Sequence, residues 1–280
     1  MSAFRRSGPP SLLELRDRVD DALRDFLRAR RQELAWIDPD AVIPVDEISR
    51  LLEAGGKRIR PVFCYWGYRA AGGQDGPEIV KAAAALELLH TMAIVHDDLM
   101  DDSAERRGVP TTHVQLGADD EYVGWALAIL TGDIAAVLAD QLFLESGLPP
   151  ERLVGGLDRY HRMRLEMAAG QLLDVTGVER DPGRVAKLKG GSYTVEGPLL
   201  IGAALGGAGL QLVTRLQRFG EPLGLAFQLH DDLRDGEAVD LELEDVKRLV
   251  ERSKEALDPE AMDLDAAEAL ASIADSVSVP

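Results

Sequence analysis

The sequence carries one acidic motif twice, as His96-Asp97-Asp98-Leu99-Met100-Asp101 and His230-Asp231-Asp232-Leu233-Arg234-Asp235. On a helix, residues four apart share a face, so Asp97 projects with Asp101 and Asp231 with Asp235. Such carboxylates repel one another unless a cation lies between them. Their hard oxygens suit Mg²⁺, which keeps several waters and takes phosphate oxygens from a substrate. Two such clusters facing each other would hold a magnesium diphosphate; neutralised, that diphosphate becomes a leaving group, and an allylic C–O bond can break to a carbocation. Aspartate fills 28 of 280 positions, so chance yields roughly 0.3 Asp-Asp-x-x-Asp motifs per chain, against two seen. The competing reading is a solvated acidic face. Apolar runs at 92–95 and 223–229 precede the motifs, which predicts that both helices are buried where the acids begin.

Basic residues bracket the first motif. Gly55-Gly56-Lys57-Arg58-Ile59-Arg60-Pro61 sets three cations beside two glycines, and Arg106-Arg107-Gly108 follows the motif. Glycine lets a backbone approach a ligand closely, and guanidinium forks match phosphate oxygens. Either cluster alone reads equally well as surface charge; together they point to a site for two anions. His90 lies two helical turns before Asp97, as suited to a core position as to a site. There is no His-x-x-x-His pair, Walker loop or Gly-x-Ser-x-Gly elbow.

Helices must position these groups. Apolar residues recur at helical spacing over 11–34, and further helices are predicted over 45–54, 60–70, 78–102, 122–146, 151–177, 184–193, 199–206, 210–235, 243–255 and 265–276. Residues 105–119 read as loop, and no stretch alternates like a strand. The fold class is all-α, one domain over 1–280, a helical bundle around a central cavity.

Composition agrees. Aromatic residues are 5% of the chain, and Ala and Leu dominate the apolar set, which favours helices over sheets. A net charge of -18 argues against nucleic acid and anionic membrane as partners. The most uncharged stretch, 197–214, holds five glycines and a proline and reads as buried helix and turn, so no stable membrane insertion is expected. A single cysteine, Cys64, excludes a disulfide framework and fits a reducing cytoplasm; its apolar surroundings make it a buried filler.

Taken in order, Gly-Gly-Lys-Arg-Ile-Arg-Pro, Leu-Leu-His-Thr-Met-Ala-Ile-Val-His-Asp-Asp-Leu-Met-Asp, Arg-Arg-Gly-x-Pro-Thr and Phe-Gln-Leu-His-Asp-Asp-Leu-Arg-Asp resemble the trans-type polyprenyl diphosphate synthases, which include the farnesyl and geranylgeranyl diphosphate synthases. The resemblance runs over about 10–236. It implies head-to-tail condensation of isopentenyl diphosphate with an allylic diphosphate by ionisation, condensation and elimination, with the departing diphosphate as proton acceptor, in a homodimer. Carried over residue by residue, Lys57, Arg60, His90 and Arg107 would hold isopentenyl diphosphate, and Arg106 and Lys189 the allylic diphosphate. Asp97, Asp101 and Asp231 would ligate Mg²⁺, supported by Asp98, Gln171, Gln228, Asp232 and Asp235. Leu89, Met92 and Ala93, before Asp97, would face the growing chain; the family stops growth early with aromatic residues near these positions. Their absence implies a product longer than farnesyl, geranylgeranyl diphosphate.

Two departures stand out. The family carries Lys-Thr where this chain has Lys189-Gly190. Beyond Gly236 the chain lacks the family's Gly-Lys-x-x-Gly-Asp-type segment, so 237–280 reads as a shortened C-terminal region. Three other readings stay open: a terpene-cyclase-like enzyme that ionises an allylic diphosphate without adding an isopentenyl unit, a non-catalytic paralogue or partner subunit of a synthase, and a plain metal-binding or helical interaction protein.

Overall fold

The computed structural model describes residues 10–177, 187–235 and 243–277. The predicted gap after Gly236 falls outside them, as do the side chains of Lys189, Asp232 and Asp235.

Eleven α-helices are seen among the described residues: α1 (Leu12–Ile37), α2 (Ile43–Glu53), α3 (Ile59–Ala70), α4 (Pro77–Met100), α5 (Thr112–Gly117), α6 (Glu121–Leu144), α7 (Pro150–Val175), α8 (Gly197–Gly206), α9 (Leu210–Asp235), α10 (Leu243–Lys254) and α11 (Leu264–Val277). A π-helical segment, Lys187–Glu196, leads into α8. A capping box starts α1: the Glu14 N–H donates to Ser11 Oγ, and the Ser11 N–H to Glu14 Oε2. Leu15, Val19, Leu23 and Leu27 follow at intervals of four and bury one stripe of the helix. By contrast, α4 is buried nearly all round from Ala82 to Leu89, so it forms the central post of the bundle. Burying each of Leu86, Leu88 and Leu89 contributes about 1.5–3 kcal/mol.

Glycine brings α3 and α8 into backbone contact. A Cβ on Gly67 would strike the Leu199 carbonyl, and one on Gly202 the Cys64 carbonyl. Cys64 itself is fully buried, and burial pushes its thiol up, consistent with a filler role. Along the chain, α10 packs on α9 and α11, while α11 also reaches α3.

The stretch 105–119 departs from the loop expectation. Glu105–Arg106 pairs antiparallel with Val109–Pro110, and α5 follows. The two turn residues, Arg107 and Gly108, both have positive φ, 55° and 77°. That is the geometry which suits a two-residue hairpin. The π-helical turn likewise replaces the regular helix expected over 184–193, where residues are described.

Both α4 and α6 are long and apolar enough to cross a membrane. Most of α4 is buried in the core, whereas α6 leaves Tyr122, Trp125, Ile129, Leu130, Val137 and Leu144 exposed.

Candidate active site

Two cavities meet at a waist formed by Arg60, His90, Ile94 and Arg106. The first, 570 Å³, is basic. Its wall is the glycine-rich loop between α2 and α3, joined by Arg107 of the hairpin and by Gln228 and Asp231 of α9. One buried residue sets the loop's shape. Arg58 adopts left-handed backbone, φ 50°, uncommon for a residue with a Cβ. Its guanidinium donates to Asp20 at 2.7 Å, to the Leu52 carbonyl at 2.7 Å and to Glu87 at 3.3 Å. Arg58 is therefore a tie between α1, the loop and α4, and not a free cation of the site. The tie presents Lys57 and Arg60 on either side of it.

Arg107 reaches back to donate to the Gly55 carbonyl at 2.6 Å, so the two basic clusters of the sequence meet here. Arg60 lies over the Tyr193 ring, 4.4 Å from its centroid, and donates to Thr194 Oγ1 at 3.1 Å. His90 Nδ1 is buried and has no hydrogen-bond partner. Burial, then Arg60, Arg107, Arg106 and Arg58, hold this imidazole well below the usual range, so it is neutral near pH 7. A neutral ring can give or accept one hydrogen bond to a phosphate without adding charge.

The acidic groups divide. Asp98 is 2% exposed and accepts from Arg106 Nε at 2.6 Å. Burial raises its pKa, partly offset by Arg106. Asp97 accepts from Gln171 Nε2 at 2.9 Å and lies 3.6 Å from Arg106 Nη2. Asp101 caps the end of α4 in solvent, one turn beyond Asp97. Asp231 borders the basic cavity, is about half exposed, and lies 3.7 Å from Lys57 Nζ. Burial at the start of both motifs is therefore seen at Asp98 and not at Asp231. Among the described residues, no three of His, Cys, Asp and Glu converge into a ready-made metal cage. Carboxylate oxygens spread along a cavity rim still fit a hard cation that completes its shell with water and phosphate.

The second cavity, 870 Å³, runs between α4 and α7. Met92, Ala93, Met100, Leu165, Met167, Ala168, Leu172 and Val175 line it, with Asp97 and Gln171 at the rim. Met92 and Ala93, expected to face a growing chain, are among these lining residues. Leu89, expected beside them, is fully buried in the core and absent from the cavity wall. Three residues before Met92, it shares that face of α4 but lies one turn nearer the stretch where the helix is buried all round.

Sequence reasoning passed over Arg16 of α1, which lines the basic cavity beside Gly55, Gly56 and Lys57. It sits among alternating charges that mark any amphipathic helix, and only the packing of α1 against the loop sets it apart.

The helices thus enclose a basic pocket, an aspartate rim and an apolar trough side by side. The chain belongs to the polyprenyl synthetase family, which it matches over residues 45–244. It is 33% identical over 212 residues to a short chain isoprenyl diphosphate synthase of Methanothermobacter thermautotrophicus, covering 73% of this chain and 61% of that one. It is 34% identical over 189 residues to a geranylgeranyl pyrophosphate synthase of Geoglobus acetivorans, covering 66% and 57%. The matches thus span about three fifths of these curated relatives. Its fold is similar to the crystal structure of geranylgeranyl pyrophosphate synthase from Corynebacterium glutamicum complexed with isoprenyl diphosphate and magnesium. The TM-score is 0.87 at 25% identity, over 96% of this chain and 99% of that one.

Proposed function

We propose that this chain condenses isopentenyl diphosphate with an allylic diphosphate to give a short-chain all-trans prenyl diphosphate, geranylgeranyl diphosphate. One observation carries the reading: the basic cavity and the apolar cavity lie side by side and share Arg60, His90, Ile94 and Arg106 in their walls. A diphosphate held in the first can therefore direct its C5 unit toward an allylic carbon whose chain lies in the second.

In this reading Lys57, Arg60, His90 and Arg107 bind the isopentenyl diphosphate. Arg106 and Lys189 bind the allylic diphosphate. Asp97, Asp101 and Asp231 hold Mg²⁺, and Asp98, Gln171, Gln228, Asp232 and Asp235 support them. Magnesium would neutralise charge on the departing diphosphate as the allylic C–O bond breaks. The residues of the chain do the rest. Arg106, fixed by Asp98, stands at the waist where that charge develops. The apolar wall keeps water from the carbocation. Isopentenyl π electrons form the new C–C bond, and the diphosphate takes the proton lost in elimination. Met92 and Ala93 leave room for a growing chain.

The basic pocket, lined by Lys57, Arg60 and Arg107, favours this over a cyclase, which needs no second diphosphate site. Further parts of the proposal are a homodimer, for which the exposed apolar side of α6 supplies a surface, and a cytoplasmic location, which suits a lone buried thiol.

The test is a magnesium-dependent assay with isopentenyl diphosphate and, in turn, dimethylallyl, geranyl and farnesyl diphosphate, with products read by mass after dephosphorylation. Elongated C20 product, lost in Asp97→Ala and Asp231→Ala, is expected. Folded wild-type protein that elongates none of the three would refute the reading.

A further inference from the structure

Helix α1 carries six arginines. Five are paired with carboxylates: Arg18 with Asp75, Arg24 with Asp21, Arg28 with Asp25, Arg30 with Glu33 and Arg31 with Asp46, at 2.6–3.1 Å. Arg16 alone has no ion-pair partner among the described residues. Its helical neighbour four residues on, Asp20, is engaged by buried Arg58 at 2.7 Å. Arg16 is also partly buried and lines the basic cavity, while its other side borders a smaller cavity along α1 with Asp20 and Arg24.

In a chain of net charge -18, an uncompensated, half-buried guanidinium is out of keeping with its surroundings. Two more cations of that cavity, Arg60 and Arg107, likewise have no carboxylate in ion-pair range among the described residues, whereas Arg58 and Arg106 do. Three unneutralised guanidiniums around one pocket suit a multiply charged phosphate. Position then selects which phosphate. Arg16 belongs to the wall formed by Gly55, Gly56 and Lys57 and takes no part in the apolar cavity, where an allylic chain would lie.

We propose that Arg16 is a substrate-binding residue for the diphosphate of the isopentenyl substrate, a contribution of the first helix to a site otherwise built from the glycine-rich loop and the hairpin. The assignment of the substrate rests on the prenyl-transfer reading above; the anion site itself does not.

Calorimetric titration with isopentenyl diphosphate in EDTA isolates the basic pocket from any metal-dependent binding. Arg16→Met is expected to bind about tenfold more weakly than wild type, Arg16→Lys to recover part of the loss, and Arg24→Met, which removes a solvent-exposed paired arginine, to leave binding unchanged. In steady-state assays Arg16→Met should raise KM for isopentenyl diphosphate, with kcat and the allylic KM unaltered and the melting temperature preserved. Binding by Arg16→Met within twofold of wild type overturns the proposal. If wild type elongates nothing while binding still falls in Arg16→Met, the anion site stands and the prenyl-transfer reading fails. If elongation proceeds with an unchanged KM in the variant, only the role of Arg16 fails.

Discussion

Arg106 Nε donates to Asp98 Oδ1 at 2.6 Å, and Asp98 is almost wholly buried beneath it. The pair links the end of α4 to the hairpin, so the guanidinium at the waist of the two cavities is held from below. Removing Arg106 strands a buried carboxylate, at a cost of about 1–3 kcal/mol. Arg106→Met should therefore lower the unfolding free energy as well as turnover. A double-mutant cycle with Asp98→Asn should give a coupling of at least about 1 kcal/mol. Additive single effects in urea unfolding would show that the pair is not a unit.

Met92 and Leu89 are one turn apart on α4 yet face different surroundings. Met92→Phe places a ring in the apolar cavity and should shift the main product to a shorter chain, with near wild-type stability. Leu89→Phe overpacks the core and should cost about 1–3 kcal/mol while leaving product length unchanged. Chromatography of dephosphorylated products together with thermal melts separates the two. An unchanged profile in Met92→Phe would remove that residue from chain-length control.

His90 predicts a dependence of stability on pH. Its folded pKa is depressed, so below the unfolded value of about 6.5 the unfolded chain binds a proton that the folded chain does not. Stability from this group is thus present above that pH and lost as pH falls. At pH 5.5 the loss reaches at most about 1.4 kcal/mol. Wild type should melt lower at pH 5.5 than at 7.5, and His90→Gln should show a smaller difference. Equal differences in the two proteins would rule His90 out as the source.

The exposed side of α6 predicts an assembly state. Leu130 and Val137 are 52% and 57% exposed, on a face of α6 whose one exposed charge between them is Asp133. Light scattering should find wild type as a dimer and Leu130→Glu/Val137→Glu as a folded monomer. A monomeric wild type at micromolar concentration would leave α6 without its proposed cover.

Much of this was legible in sequence because the signals were periodic or clustered. The stripe of Leu15, Val19, Leu23 and Leu27 fixed α1, and the repeated aspartates fixed the ends of α4 and α9. The boundaries of α9 agree at both ends with those read from the residues, Leu210–Asp235. The hairpin was missed because its turn uses Arg107 in left-handed geometry, where asparagine or glycine is the usual signal. Leu89 shares the face of Met92 but is not in the cavity wall, because how far the cavity reaches along that face is set by packing that periodicity does not record. Arg58 and Arg16 were indistinguishable as letters. Their difference arises from long-range packing, which gives Asp20 to one and withholds it from the other.

The backbone contact of α3 with α8 bears on how such a pocket can diversify. Gly67 and Gly202 admit no side chain without parting the two helices, and Arg60 sits at the head of α3. That wall is therefore stiff in evolutionary terms, since a change there disturbs the anchor of the anionic end. The facing surfaces of α4 and α7 carry no such constraint between them: Met92, Ala93, Leu165 and Leu172 line open space. Variation in the length of hydrocarbon accommodated is expected to accumulate on that side, residue by residue, while the charged end stays as it is.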